Sequence, residues 1–111
     1  MEIQEQQQGA VTVVKPMGPL VAAEVEAVKA RITDVLSRSM GRLVVDASAI
    51  AFVDSPGLEM LVDVTEQQLE SGRALKLCAV NETLREVLEL TGWSDSFEYF
   101  DDVNSGVRSF L

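Results

Sequence analysis

The stretch "AIAFVDSPGLEML", residues 49–61, places an acid, a hydroxyl, a proline and a glycine side by side between two apolar runs. Ser55 fits the N-cap position of a helix, and Pro56 fits the first helical position, where a missing N–H costs least. The hydroxyl also follows a buried strand, where open α/β sheets usually place functional groups. A phosphate there would meet free N–H groups and the positive end of the helix dipole. Two interpretations therefore stay open: a well-capped helix start, or a serine displayed for modification.

Composition removes the common enzymatic explanations for such a serine. The chain has no histidine, which excludes a Ser-His-Asp triad and every histidine-based metal site. No Ser-x-x-Lys spacing supplies Ser55 with a lysine base. A response-regulator receiver domain needs an acidic pair after its first strand to hold magnesium, and here that strand is "VTVVKP". We therefore expect no catalytic residue, no metal and no cofactor.

Charge and hydropathy limit the kinds of partner. Nine Lys and Arg against eighteen Asp and Glu give a net charge of -9, which repels nucleic acids and anionic membranes. The charge favours a basic or mixed protein partner, or serves only to keep the chain soluble. No apolar run approaches the roughly 20 residues of a spanning helix. The start "MEIQEQQQGA" does not resemble a signal peptide, and the single cysteine, Cys78, permits no internal disulfide, so we expect a cytoplasmic protein.

The elements that position Ser55 alternate along the chain. Residues 1–9, rich in glutamine, are predicted to be a flexible lead-in, and residues 10–111 to form a single domain. Strands are predicted at residues 10–16, 42–48 and 73–80, with a short edge strand in "SFEYF". Helices are predicted at about 20–39, at 56–71 and at 81–92, where Asn81 is the capping residue. A last helix is predicted after Asp101-Asp102, which would cap it. This alternation indicates an α/β domain with a largely parallel sheet.

The helix that follows Ser55 carries two apolar strips. Its predicted core stripe consists of Leu58, Leu61, Val62, Thr65 and Leu69. Beside that stripe, Gly57, Met60 and Val64 lie in a row with the start of the helix. They either widen the core contact or form a small exposed patch for a partner, a role that suits the adaptable methionine side chain.

With these motifs in place, the chain resembles a STAS domain, the family of bacterial anti-sigma factor antagonists. The segment "LVVDASAIAFVDSPGLEML" is similar to the family pattern of a strand ending in Asp, a short link, Phe, an apolar residue, Asp-Ser, a small residue and Gly-Leu. The later "LKLCAV", a helix and "TGW" follow the family order. The resemblance covers nearly the whole chain. It implies a mixed, largely parallel sheet of four to five strands flanked by about four helices.

The resemblance also implies a function without catalysis. Ser55 would be phosphorylated by a partner that is both anti-sigma factor and serine kinase, and a phosphatase would reset it. The unphosphorylated form would bind that partner and free the sigma factor, whereas the phosphorylated form would release the partner. The predicted contact residues are Asp54, Ser55, Gly57, Met60 and Val64. Asp54 would help to present the serine.

The resemblance leaves one alternative function open, and this sequence departs from the family pattern at two positions. STAS domains also serve as subunits of transporters and of stress-signalling assemblies, so a non-switching scaffold with a structural Ser55 is the competing hypothesis. Pro56 replaces the small, usually hydroxyl-bearing residue that follows the serine in the family. Val21, in "GPLV", stands where the family often carries an acid.

Overall fold

The computed structural model describes residues 1–111 and confirms the predicted α/β class, with one five-stranded sheet and four α-helices. The elements in chain order are β1 (Ile3–Gln8), β2 (Val11–Pro16), α1 (Ala22–Arg38), β3 (Leu43–Asp46), α2 (Ser55–Leu69), β4 (Leu75–Cys78), α3 (Glu82–Leu90), β5 (Phe97–Phe100) and α4 (Val103–Arg108). The strands lie in the sheet in sequence order; β1 is antiparallel to β2, and all other neighbours are parallel. None of the helices is long and apolar enough to span a bilayer.

The two faces of the sheet are covered differently. Successive parallel strands joined by helical crossovers of one hand place their helices on the same face. That face and the helices α1, α2 and α3 enclose a cluster of 17 buried side chains. The opposite face is covered by α4, whose Val103 and Val107 pack on a second cluster of four buried residues. The short apolar strands β3 and β4 contribute to both clusters, as expected for central strands.

The prediction of a flexible lead-in at residues 1–9 is wrong, because Ile3–Gln8 form the edge strand β1. The backbone of β2 supplies its hydrogen bonds, so the strand needs few apolar residues of its own. On its helix-facing side, Glu5 forms ion pairs with Arg31 at 3.1 Å and Arg38 at 3.3 Å on α1. The glutamine-rich sequence conceals this strand because a pairing with distant residues leaves no local signal.

Local capping signals elsewhere are confirmed. Asn81 caps α3 by accepting a hydrogen bond from the backbone N–H of Leu84 at 2.8 Å. Asp102 caps α4 by accepting from the N–H of Ser105 at 2.7 Å. Hydrogen bonds from Ser105 hold the pKa of the Asp102 carboxyl below its ordinary value. Each of these caps serves only its own helix.

Helix α4 covers the Cys78 side chain of strand β4. A Cβ on the buried Gly106 would lie 2.5 Å from the Cys78 sulfur, so only glycine allows this approach. Beyond α4, Lys76 donates to the Ser109 hydroxyl at 2.7 Å, and its ammonium lies 3.8 Å from the Phe110 ring centroid. Burial, with a smaller contribution from the nearby acids, raises the pKa of the Cys78 thiol to about 11.

We predict that native Cys78 reacts slowly with iodoacetamide at neutral pH, because it is buried and protonated. Gly106→Ala should push α4 from the sheet and raise the labelling rate by about tenfold or more, measured by mass spectrometry over time. The control is Asn104→Ala on the exposed side of α4. Equal labelling rates in both variants would contradict this account of α4.

Candidate functional site

The loops that follow β2 and β3 pair with each other beside Ser55. The N–H of Leu20 donates to the carbonyl of Phe52, and the N–H of Asp54 donates to the carbonyl of Leu20, both at 3.1 Å. This pairing forms a parallel bridge between Leu20 and Val53, and the Leu20 side chain is fully buried. The bridge extends the contact between β2 and β3 beyond their ends. It thereby places Asp54 between the starts of α1 and α2.

The Asp54 carboxylate caps both of these helices. Its Oδ1 accepts from the N–H of Gly57 in α2 at 2.9 Å, and its Oδ2 accepts from the N–H of Ala22 in α1, also at 2.9 Å. Val21 occupies the N-cap position of α1, and its side chain offers no acceptor. One negative charge therefore lies at the positive ends of two helix dipoles and satisfies one unpaired N–H of each.

The predicted N-cap assignment is wrong by one residue. Asp54, not Ser55, is the N-cap of α2; Ser55 is the first helical residue and Pro56 the second. Both residue types make good caps, and the choice is fixed by the additional hydrogen bond that the Ala22 N–H donates to the Asp54 carboxylate, which local sequence does not reveal. As a result, the Ser55 hydroxyl is exposed and has no hydrogen-bond partner in the protein.

The start of α2 offers a phosphate fewer donors than the sequence predicts. Pro56 has no N–H, and the N–H of Gly57 is held by the Asp54 carboxylate. The N–H of Leu58 donates to the Asp54 carbonyl at 2.9 Å. In the first turn, only the N–H of Ser55 itself is left without a partner.

Three of the predicted contact residues, Gly57, Met60 and Val64, lie inside the protein. Of the two interpretations of this strip, the wider core contact is confirmed and the exposed patch is wrong. Met60 is 1% exposed and Val64 is fully buried. Helix α2 packs against α1 as well as against the sheet, and this second contact covers the strip beside the predicted core stripe. Gly57 is also buried, and a Cβ there would overlap the carbonyl oxygen of Leu20. Its role is to allow the close approach of the two loops.

Two exposed apolar side chains on the bridged loops were not predicted as site residues. Phe52 is 48% exposed and Met17 is 37% exposed, on the two loops that the Leu20 bridge joins. Phe52 is the single aromatic residue among the exposed large apolar side chains, and it lies three residues before the exposed Ser55. Phe52 belongs to the motif around Ser55, but its exposure depends on the loop conformation and was not evident from sequence.

The comparisons with known proteins identify the family. The family model for the STAS domain matches residues 2–106, so the chain belongs to the STAS family. The match begins before β1, in agreement with the placement of that strand in the sheet. No curated protein sequence gives a significant match.

Solved structures share the fold at low sequence identity. An anti-sigma factor antagonist from Mycobacterium paratuberculosis has a TM-score of 0.80 and 23% identity, with 97% of this chain and 92% of that chain covered. The Bacillus cell fate determinant SpoIIAA in its phosphorylated form has a TM-score of 0.72 and 16% identity, with 99% and 100% covered. The murine anion transporter Slc26a9 has a TM-score of 0.75 and 18% identity, with 95% of this chain but only 18% of that chain covered.

We predict that Asp54→Ala lowers the free energy of unfolding by about 2 kcal/mol, since it removes two caps worth about 1 kcal/mol each. Ser55→Ala is the matched control: its hydroxyl is exposed and unbonded, so its effect should stay within about 0.5 kcal/mol. Urea denaturation followed by circular dichroism measures both. If Ser55→Ala were as destabilising as Asp54→Ala, the serine rather than the aspartate would be the cap.

Proposed function

We propose that this STAS domain is an anti-sigma factor antagonist that acts in the cytoplasm and is switched by phosphorylation of Ser55. The observation that carries the proposal is the exposed, unbonded Ser55 hydroxyl, held at a fixed helix start beside the exposed Phe52. A kinase can reach this hydroxyl without breaking any hydrogen bond of the protein. The structural likeness to SpoIIAA, solved in a phosphorylated form, supports the assignment.

The switch would act through charge at a surface that a partner covers. Unphosphorylated Ser55 and Phe52 present a small neutral patch against which an anti-sigma factor with kinase activity can pack. Phosphate adds a charge of about -1.5 to -2, and burying it against an apolar contact is unfavourable, so the partner dissociates. A phosphatase would restore the binding form. The net charge of -9 favours a basic rim on the partner, which would speed association.

The role of Asp54 in this proposal is to position the serine rather than to accept its proton. Both carboxylate oxygens already accept backbone N–H groups, and the side chain is only partly exposed. The partner contacts are accordingly revised from the sequence-based set. Ser55 stays in the contact, Phe52 replaces the buried Met60 and Val64, and Asp54 lies at its edge.

We predict that incubation with the cognate kinase and ATP places one phosphate on Ser55, detected by mass spectrometry of the digested protein. The Ser55→Ala variant should bind the partner with the same affinity as the unphosphorylated protein. The Ser55→Asp variant should bind it about 100-fold more weakly, because aspartate carries a fixed charge into the contact. Titration calorimetry measures both affinities. Absence of phosphate on Ser55, or equal binding by the two variants, would reject the switch.

We predict that Phe52→Ala weakens partner binding by about tenfold or more, as is typical when a central aromatic contact is truncated. Leu90→Ala is the matched control, because Leu90 is 79% exposed on α3. This substitution removes a similar apolar side chain elsewhere on the surface. Calorimetry compares the two affinities, and thermal unfolding verifies that both variants are folded. Equal affinities would exclude Phe52 from the interface.

The competing function is a STAS domain that acts as a non-switching scaffold or as a subunit of a transporter or stress-signalling complex. The observation in its favour is the fold similarity to the mouse anion transporter Slc26a9. The matching region makes up 18% of the transporter chain. In that role Ser55 would be structural. A neighbouring gene for a kinase-like ATPase favours the switch, whereas neighbouring permease and transport ATPase genes favour the scaffold.

A further inference from the structure

We propose that a phosphate on Ser55 is also read inside the molecule, because it displaces the Asp54 carboxylate and thereby uncaps α1. This inference rests on the proposed phosphorylation of Ser55. It adds an intramolecular route by which the modification changes the surface formed by the two bridged loops. Three structural features carry it: the shared cap, the shortage of donors in α2, and the absence of a replacement cap in α1.

The shared cap places the phosphate next to a charge that cannot move freely. Ser55 follows Asp54 directly, so the phosphate and the carboxylate lie within a few ångströms of each other. Two like charges at this distance repel strongly near a protein surface. The Asp54 carboxylate can increase the separation only by giving up its hydrogen bonds to Gly57 and Ala22.

The shortage of donors adds competition to this repulsion. A phosphate at the start of a helix is stabilised by the free backbone N–H groups of the first turn. Here only the N–H of Ser55 is free, and Pro56 supplies none. The next donor along the helix is the N–H of Gly57, which Asp54 holds at 2.9 Å. The phosphate and the carboxylate therefore compete for the same donor.

The cost of the displacement falls on α1 rather than on α2. Helix α2 gains the phosphate as a new negative group at its positive end, which offsets the loss of Asp54. Helix α1 gains nothing, because Val21 has no acceptor to replace the hydrogen bond from Ala22. The residues just before α1 include Leu20, whose backbone bonds hold the loops carrying Met17 and Phe52 together.

Amide hydrogen exchange, measured by NMR, tests this coupling without any kinase. Ser55→Glu supplies a fixed negative charge, and Ser55→Gln is its neutral control of the same shape. We expect the Ala22 amide to exchange about tenfold faster in the Glu variant than in the Gln variant, because the amide has lost its acceptor. The Leu84 amide, capped by Asn81 at 2.8 Å, should exchange equally in both.

Two further measurements identify the cause. High salt should reduce the difference at Ala22, because screening weakens charge repulsion but not a steric effect. In an Asp54→Asn background, exchanging Glu for Gln at position 55 should have little further effect on Ala22. A difference that persists in this background, or at high salt, would overturn the proposed route through Asp54.

The remaining outcomes are also decisive. Equal exchange at Ala22 in the Glu and Gln variants overturns the inference, and so does a parallel acceleration at Leu84, which would indicate global destabilisation. The proposed function fails separately, if the kinase places no phosphate on Ser55. Failure of one is therefore distinguishable from failure of the other.

Discussion

The shared carboxylate of Asp54 is the interaction on which the arrangement around Ser55 depends. Because β2 and β3 are parallel neighbours, the helices that follow them begin at the same edge of the sheet. Two helix starts that lie close together bring two positive dipole ends and two sets of unpaired N–H groups into one region. A single acid between them satisfies part of both requirements. The buried Leu20, its bridge to Val53 and the close approach at Gly57 fix the acid in place.

The rest of the fold provides a rigid base for this region. Three helices close one face of the sheet over a core that is aliphatic except for Met60 and Phe97, and α4 closes the other. The edge strand β1 joins the sheet through backbone hydrogen bonds and the ion pairs of Glu5 with α1. Ser55 is consequently displayed from a well-packed element, although its hydroxyl makes no hydrogen bond to the protein. A displayed side chain with no structural duty is suited to reversible modification.

Features with a local chemical signal could be predicted from the sequence. The order of elements from β2 to α4, the caps at the starts of α3 and α4, and the helix that begins at Ser55 all follow from residue types a few positions apart. The pattern around Asp54 and Ser55 is equally local, and the family that it indicated is confirmed by the family-model match over residues 2–106. These signals determine the class of fold and locate the candidate site.

Features that depend on distant contacts could not be predicted. Strand β1 exists because β2 offers it an edge, and Met60 and Val64 are buried because α1 covers the side of α2 that a helical wheel leaves open. Asp54 rather than the predicted Ser55 is the N-cap of α2, because Ala22, 32 residues away, supplies Asp54 with a second donor. The exposure of Phe52 is likewise a property of the loop bridge and not of its neighbours in sequence.

The valine at position 21 has a consequence for how this lineage can change. An acid at position 21 could cap α1 by itself, and the caps of the two helices could then be lost or exchanged one at a time. Here a single residue meets both needs, so substitution of Asp54 is penalised twice. Positions 21 and 54 are therefore expected to change together: a variant that loses Asp54 is tolerated best when position 21 carries an acid, a serine or an asparagine.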